Sequence, residues 1–96
     1  MPTFELDPEF LREWRRLSPA DRERFREARR RLVEDLKAKR PIRAGLGVKS
    51  FQGEEGVFEF RWAPNGRALF TYGTSSHPGD VHIIWLSVGT HDIYKR

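Results

Sequence analysis

The segment that most constrains the fold is residues 57–72, which predicts two strands joined by a tight turn. Residues 57–62 alternate strictly, so the aromatic side chains at 58, 60 and 62 would share one face of a strand. Residues 63–66, Ala-Pro-Asn-Gly, are typical of a turn, and residues 67–72 supply the returning strand. A sheet with one aromatic face is therefore the centre of the predicted fold.

The apolar pattern also predicts how the two strands pair. Matching the aromatic face of the first strand to the apolar face of the second sets the register, since a slip by one residue would turn every side chain over. Arg61 would then lie opposite, or nearly opposite, Arg67. The second face of this hairpin would carry two guanidinium groups beside the carboxylate of Glu59. Glu59 could form a structural ion pair with these arginines. The alternative is that the two arginines bind a phosphate and stabilise the charge that develops on it.

Two helices are predicted ahead of the hairpin, and they would form a helical hairpin over one sheet face. The first begins at the N-cap Asp7, with Pro8 at its first position, and ends near Leu17. The second begins at the cap Ser18 and runs to about Ala38. Its buried stripe is predicted to contain Phe25, Ala28, Leu32 and Leu36.

Three further strands complete the predicted sheet. Residues 3–6 alternate as a short first strand, and residues 48–51 form another short strand. Residues 81–88 are nearly all apolar, which indicates a central strand covered on both faces. The sequence thus predicts one α+β domain over residues 1–96. It would be an N-terminal strand and a two-helix hairpin packed on a small, mostly antiparallel sheet, in the order β-α-α-β-β-β-β.

Composition narrows the class of protein. A chain of 96 residues makes one domain, and no apolar run is long enough to cross a membrane. The first residues lack the features of a signal peptide, and no cysteine is present, so we expect a cytoplasmic protein without disulfides. The net charge is +4, and 14 of the 18 basic residues are Arg. Because Arg favours bidentate phosphate contacts, a polyanionic partner is plausible.

The second helix is rich in Arg, and two interpretations stay open for it. Its charges largely offset one another if Glu27 pairs with Arg31, Arg30 with Glu34, and Arg31 with Asp35. Such a surface is typical of a solvated structural face. The alternative is a contact face for ribosomal RNA or another nucleic acid.

The end of the chain holds further candidates. His91 follows the predicted central strand, where an imidazole could exchange protons near neutral pH, although a lone histidine is often inert. Tyr94, Lys95 and Arg96 could form a cationic, aromatic rim for RNA, or simply a frayed terminus. The spacing of His77 and His82, with no cysteine near, argues against a metal site.

Five segments in this order resemble the RelE/ParE toxin superfamily across essentially the whole chain. They are Leu-Arg-Glu-Trp-Arg-Arg-Leu at 11–17, Val-Lys-Ser-Phe-Gln-Gly at 48–53, Val-Phe-Glu-Phe-Arg-Trp at 57–62, Gly-Arg-Ala-Leu-Phe at 66–70, and Ser-Val-Gly at 87–89. The resemblance implies a toxin held in check by a cognate antitoxin. RelE-like members cut mRNA, often inside the ribosome, without a metal ion or other cofactor.

The resemblance also implies roles for single residues. Arg67 matches the arginine that contacts the scissile phosphate, and Arg61 matches a basic residue that helps to activate the 2′-hydroxyl. His91 matches the position that donates a proton to the leaving oxygen, and Tyr94 lies near the stacking tyrosine of the tail. Where RelE has two lysines, this chain has Glu59 and Arg61. Because guanidinium is a poor base at neutral pH, Glu59 or His91 would have to serve.

We therefore predict a metal-independent endoribonuclease, which acts on mRNA and binds an antitoxin. Two alternatives remain: a ParE-like inhibitor that poisons DNA gyrase by binding, and an inactive relative that binds only an antitoxin. For Trp62, packing in the core is the alternative to stacking on a base. The predicted catalytic residues are Arg61, Arg67, His91, Glu59 and Tyr94, and the predicted RNA contacts are Lys49, Trp62, Lys95 and Arg96.

Overall fold

The structure is a computed structural model that describes residues 2–74 and 79–90. Its elements follow the predicted order, with a short 3-10 helix added after the second α-helix. They are β1 (Thr3–Leu6), α1 (Pro8–Trp14), α2 (Pro19–Lys37), the 3-10 helix (Ala44–Leu46), β2 (Lys49–Ser50), β3 (Val57–Ala63), β4 (Gly66–Gly73) and β5 (His82–Thr90).

Both helices begin at the predicted caps. The Asp7 carboxylate accepts a hydrogen bond from the backbone N–H of Glu9 at 3.1 Å, and the Ser18 hydroxyl accepts one from Asp21 at 3.1 Å. The prediction that α1 extends to Leu17 is wrong by three residues. Residues 15–17 instead form a turn, because Ser18 takes the extended conformation that a residue before proline favours. Neither described helix is long and apolar enough to span a membrane.

The five strands form one sheet in the order β1-β5-β4-β3-β2. β1 runs parallel to β5, and the other neighbours are antiparallel. The predicted hairpin register is confirmed: Phe58 pairs with Phe70, and Arg61 pairs directly with Arg67. The alternation of β3 and the tight turn at 63–66 are therefore sufficient to set the register.

The core lies between the helices and one face of the sheet, with α1 against β5 and α2 against β3. Phe25 is 1% exposed, and its ring centroid lies 5.1 Å from that of Trp85 and 5.9 Å from that of Phe60. Aromatic rings at these separations and tilts favour one another beyond the area that they bury. Trp14 is half-buried at the margin of this core, beneath the guanidinium groups of Arg22 and Arg26.

β5 differs from its prediction in length and in burial. It spans His82–Thr90 rather than residues 81–88, and it is central, with β1 on one side and β4 on the other. Ile83 and Trp85 face the helices and are buried, whereas Ile84 and Leu86 are only half-buried. The prediction of full cover on both faces is wrong, because both described helices pack against the same face.

Asp35 organises the segment after α2. It is 1% exposed, and it accepts hydrogen bonds from Arg43 Nη2 at 2.9 Å, from the Arg43 backbone N–H at 3.0 Å, and from Arg40 Nε at 2.7 Å. Arg43 chiefly, with help from Arg40, lowers the pKa of Asp35 far below its usual range. The predicted pair Arg31–Asp35 is therefore wrong, since the chain reverses at residue 39 and brings later arginines to this carboxylate.

The other two predicted pairs on α2 are confirmed. Arg30 Nη1 lies 2.8 Å from the carboxylate of Glu34, and Arg31 Nη2 lies 3.4 Å from that of Glu27. These pairs are exposed, so each stabilises the helix by at most a few tenths of a kcal/mol. Most of the outer face of α2 is accordingly a solvated ion-pair surface.

Candidate functional site

The candidate site lies on the β3–β4 hairpin, on the face that points away from the helices. Phe60 and Trp62 are 0% and 5% exposed on the covered face, so alternation places Arg61 on the other one. Arg61 and Arg67 are direct cross-strand partners there. Like charges directly opposite each other destabilise a sheet, so this pair is suited to an anion.

The guanidinium group of Arg67 is held by the turn that precedes it. Its Nη1 donates to the carbonyl oxygens of Gly66 at 2.9 Å, Pro64 at 3.1 Å and Ala63 at 3.3 Å. Within residues 2–74 and 79–90, no carboxylate forms an ion pair with it. Arg67 is therefore positioned by neutral groups and keeps its full charge for a ligand, with Nε and Nη2 as the remaining donors.

Arg61 is exposed, and it lies against the end of the 3-10 helix. Gly47 ends this helix in the left-handed conformation, with φ of 57°. A Cβ atom at Gly47 would come within 3.2 Å of Arg61 Cβ and 3.3 Å of Arg61 Nε. The positive φ favours glycine at this position, and a larger residue would also be tight against the Arg61 side chain. In the described part of the chain, no carboxylate pairs with Arg61.

Glu59 lies on the same face, two residues before Arg61. Its partner is Lys49 on β2, directly opposite in the register, with Nζ 3.4 Å from Oε2. The Glu59 side chain is only 15% exposed, whereas that of Lys49 is 75% exposed. The structure therefore does not contain the predicted ion pair of Glu59 with Arg61 and Arg67, since the partner of Glu59 is Lys49. We call Lys49, Glu59, Arg61 and Arg67 the hairpin cluster.

Trp62 does not belong to this cluster. It is 5% exposed on the helix-covered face, and its indole N–H donates to the carbonyl of Arg67 at 2.9 Å. Its ring lies so close to Gly66 that a Cβ there would come within 2.5 Å of it. The predicted stacking of a base on Trp62 is therefore wrong, and the alternative of core packing is confirmed. The alternation of residues 57–62 already pointed to that face.

The predicted site residues near the C-terminus are His91, Tyr94, Lys95 and Arg96. They lie outside the described residues, so their roles stay predictions. The described strand that leads to them ends with Gly89 opposite Arg67 and Thr90 opposite Gly66.

A second polar cluster was not predicted as such. His82 begins β5, and its Nδ1 lies 2.7 Å from the hydroxyl of Thr3, while its Nε2 lies 2.8 Å from a carboxylate oxygen of Glu5. These contacts join β1 to β5. His77, which was considered together with His82, lies outside the described residues. These contacts depend on the parallel register of β1 and β5, and no local pattern in the sequence predicts that register.

Comparison with known proteins finds solved structures with a similar fold. No protein-family model matches the sequence, and no curated protein matches it. The DinJ–YafQ complex of Escherichia coli contains a chain that superposes with a TM-score of 0.65 at 12% identity, over 97% of both chains. The RelB–RelE antitoxin–toxin complex of Methanococcus jannaschii gives 0.61 at 15% identity, over 94% of both.

A third solved structure is described as the YoeB/ParE toxin from Agrobacterium tumefaciens. It superposes with a TM-score of 0.62 at 18% identity, over 93% of this chain and 98% of that one. Such coverage leaves no large element of either chain unmatched. The protein therefore has the RelE/ParE-like toxin fold, as the resemblance of its sequence predicts.

Proposed function

We propose that this protein is the toxin of a type II toxin–antitoxin pair, and that it inhibits translation by cutting mRNA without a metal ion. The observation that carries the proposal is the direct pairing of Arg61 with Arg67, next to the carboxylate of Glu59. Two cations and one potential base on a single rigid face match the needs of phosphodiester cleavage. The fold, shared with chains solved in toxin–antitoxin complexes, supports the toxin part of the proposal.

The proposed reaction is an attack by RNA on itself. The 2′-hydroxyl loses its proton to Glu59 or His91, and its oxygen forms a bond to the adjacent phosphorus. The bond from phosphorus to the 5′-oxygen breaks, and the second of these two residues donates a proton to the leaving oxygen. The products are a 2′,3′-cyclic phosphate and a 5′-hydroxyl.

The arginines act on the charge that builds up in this step. The pentacoordinate phosphate carries more negative charge on its oxygens than the ground state, and Arg67 is already oriented by three carbonyls. A preorganised donor costs no reorganisation at the moment of reaction. Arg61 supplies the second cation. Lys49 Nζ lies 3.4 Å from Oε2 of Glu59, and the proposed proton transfer uses the carboxylate of the same residue.

The proposed regulatory partner is an antitoxin that covers the hairpin cluster or the groove beside α1. A net charge of +4 and exposed arginines suit an acidic, amphipathic segment. Co-purification of the protein with the product of its neighbouring gene checks this part of the proposal. If the pair never yields a stable complex, the antitoxin part fails.

The decisive experiment is cleavage of a defined RNA by purified protein, either alone in the presence of EDTA or with ribosomes in the magnesium buffer that keeps them assembled. Cleavage should persist in EDTA, and a single 2′-deoxy substitution at the cut should abolish it, since the attacking hydroxyl is then missing. In parallel, supercoiled DNA is incubated with gyrase and the protein. Gyrase-dependent DNA breaks with intact RNA would replace the proposal by the ParE-like alternative. An antitoxin complex with neither activity would indicate an inactive relative.

A further inference from the structure

A cavity of about 330 Å³ lies at the exposed edge of β3, between β3, α2 and the 3-10 helix. β2 pairs with β3 only at Phe58 and Glu59, so the edge of β3 beyond that point is open to the cavity. The cavity adjoins the hairpin cluster, because Arg61 lines it as well. Its volume is at the lower end of the range found for ligand pockets.

The charges around this cavity are all of one sign. Arg31 reaches it from α2 and Arg61 from β3, and no acidic residue lines it. The ion pair of Arg31 with Glu27 is long, at 3.4 Å, and nearly half of the Arg31 side chain is exposed. Two arginines that line one volume, one in a long ion pair and the other without a carboxylate partner among the described residues, attract an anion, and arginine suits phosphate in particular.

The remaining walls are apolar or backbone. Leu46 and Trp62, which are 3% and 5% exposed, form part of the wall, and Gly45 and Pro64 line it as well. A site that combines apolar walls with two guanidinium groups suits the sugar and phosphate of a nucleotide better than a hydrated inorganic ion.

Contacts within the protein fix the position of the 3-10 helix, which forms one wall of the cavity. The buried Asp35 holds the backbone N–H of Arg43, the residue that caps the 3-10 helix, at 3.0 Å. Gly47 closes the same helix and allows its close approach to Arg61. Both ends of the 3-10 helix are therefore fixed before any ligand arrives.

The charges around a neighbouring cleft limit the length of RNA that can bind along this edge of β3. It has a volume of about 470 Å³ and shares Arg31 and Trp62 with the cavity, but Glu23 and Glu27 also line it. The one further cation in its lining, Arg24, is paired with Asp21 at 2.8 Å. Carboxylates repel the phosphates of a polynucleotide. The favourable path for a strand thus ends at Arg31, and the cavity accommodates one nucleotide rather than a run.

We propose that this cavity is a subsite for one nucleotide of single-stranded RNA, adjacent to the phosphate that the hairpin cluster cuts. Arg31 and Arg61 contact its phosphate, and its ribose lies against Leu46 and Pro64. The inference rests on the proposed function, because Arg61 would then connect two successive phosphates of one strand. An acidic peptide is the competing ligand, and the experiment below separates the two.

The experiment measures binding of a short fluorescent RNA by anisotropy over a series of salt concentrations. Every 2′-hydroxyl in this RNA is methylated, so that it binds but cannot be cut. Arg31→Gln should weaken binding about 10-fold and lower the slope of log affinity against log salt by about 0.7, the value for one phosphate contact on a single strand. Arg30→Gln is the matched control: it removes the same charge one residue away, where Arg30 pairs with Glu27 and Glu34 outside the cavity.

The outcomes separate the subsite from the proposed function. If Arg31→Gln and Arg30→Gln bind alike while the wild-type protein binds RNA well, the subsite is wrong and the proposed function stands. Failure of the wild-type protein to bind the RNA overturns the subsite, and the cleavage experiment with ribosomes then decides the proposed function separately. If Arg31→Gln weakens only the antitoxin complex, the cavity belongs to an acidic peptide and the subsite is again wrong. Equal melting temperatures of the two variants exclude unfolding as the cause.

Discussion

Arg61 and Arg67 face each other across the β3–β4 hairpin, but the protein holds them in different ways. Arg67 is anchored by three carbonyls of its own turn, whereas Arg61 lies against Gly47 at the end of the 3-10 helix. One cation is thus positioned locally, and the other by a segment distant in the sequence. Changes near each arginine should consequently have separable effects on activity and stability.

Arg67→Ala should abolish toxicity. Removal of one preorganised donor to a developing anion typically costs about 100-fold or more in rate. Because Arg67 also ties the turn at 63–66, a modest drop in melting temperature should accompany the loss. Arg67→Lys keeps the charge but not the planar fork, so it should fold like the wild type and still lose most of the activity. Growth arrest after induction and single-turnover cleavage measure both effects, and a toxic Arg67→Ala variant would remove this arginine from the mechanism.

Gly47→Ala should lower both stability and activity, through strain and through displacement of Arg61. A left-handed residue with a Cβ costs about 1–2 kcal/mol, and the new atom would also lie 3.2 Å from Arg61 Cβ. Gly45→Ala is the matched control, since nothing lies within 4 Å of a Cβ at that position. Urea unfolding should place Gly45→Ala near the wild type, and single-turnover cleavage measures the loss of activity in Gly47→Ala. Equal stability of the two variants would contradict the close packing of the 3-10 helix on β3.

Asp35 should make the fold sensitive to acid. The hydrogen bonds from Arg43 and Arg40 hold the pKa of this carboxyl well below its value of about 3.9 in an unfolded chain. Its contribution is therefore complete above about pH 5, and it declines as the pH falls through 4 toward the lower, folded-state pKa. Asp35→Asn should be less stable than the wild type at pH 7, and its stability should fall less between pH 5 and pH 3.

The control for Asp35→Asn is an exposed carboxylate on the same helix. Glu23 is 75% exposed, and its contact with Arg26 is 3.5 Å long, so Glu23→Gln should leave stability almost unchanged. Unfolding in urea at pH 7, 5 and 3 gives the comparison. Parallel pH profiles for Asp35→Asn and the wild type would show that this carboxylate does not hold the segment after α2.

Local patterns were enough to predict the hairpin and the starts of both helices. The alternation of residues 57–62 and a tight turn leave one register that keeps the aromatic face together, so the pairing of Arg61 with Arg67 followed from the sequence. The N-caps Asp7 and Ser18 accept hydrogen bonds from backbone N–H groups two and three residues later, so they too could be predicted from the sequence. Trp62 could have been placed correctly by the same alternation.

Contacts between distant segments were not predictable in this way. Asp35 takes Arg40 and Arg43 as partners because the backbone reverses at Lys39, a residue with positive φ that carries no strong turn signal. The pair of Lys49 with Glu59 depends on β2, and a strand of two residues has no period from which to read a register.

The last prediction concerns Glu59. Two roles for this residue predict different effects of Glu59→Gln on RNA affinity and on the cleavage rate. If Glu59 takes the proton from the 2′-hydroxyl, Glu59→Gln should slow single-turnover cleavage by roughly 100- to 10,000-fold and change RNA affinity little. If it only neutralises the basic face, the loss of one negative charge should tighten RNA binding and leave the chemical step intact.

Two further variants locate the proton transfers. Lys49→Gln removes the ion pair at 3.4 Å but not the carboxylate, so it should slow cleavage less than Glu59→Gln does. His91→Gln, which keeps hydrogen bonding but cannot shuttle a proton efficiently, should cause a loss similar to that of Glu59→Gln if the two residues are the acid and base. In that case each variant should lose one limb of the pH–rate profile, because the remaining residue alone then titrates. A His91→Gln protein that cuts at the wild-type rate would leave Glu59 without a proton donor among the predicted residues, and the acid would have to be sought elsewhere on the hairpin face.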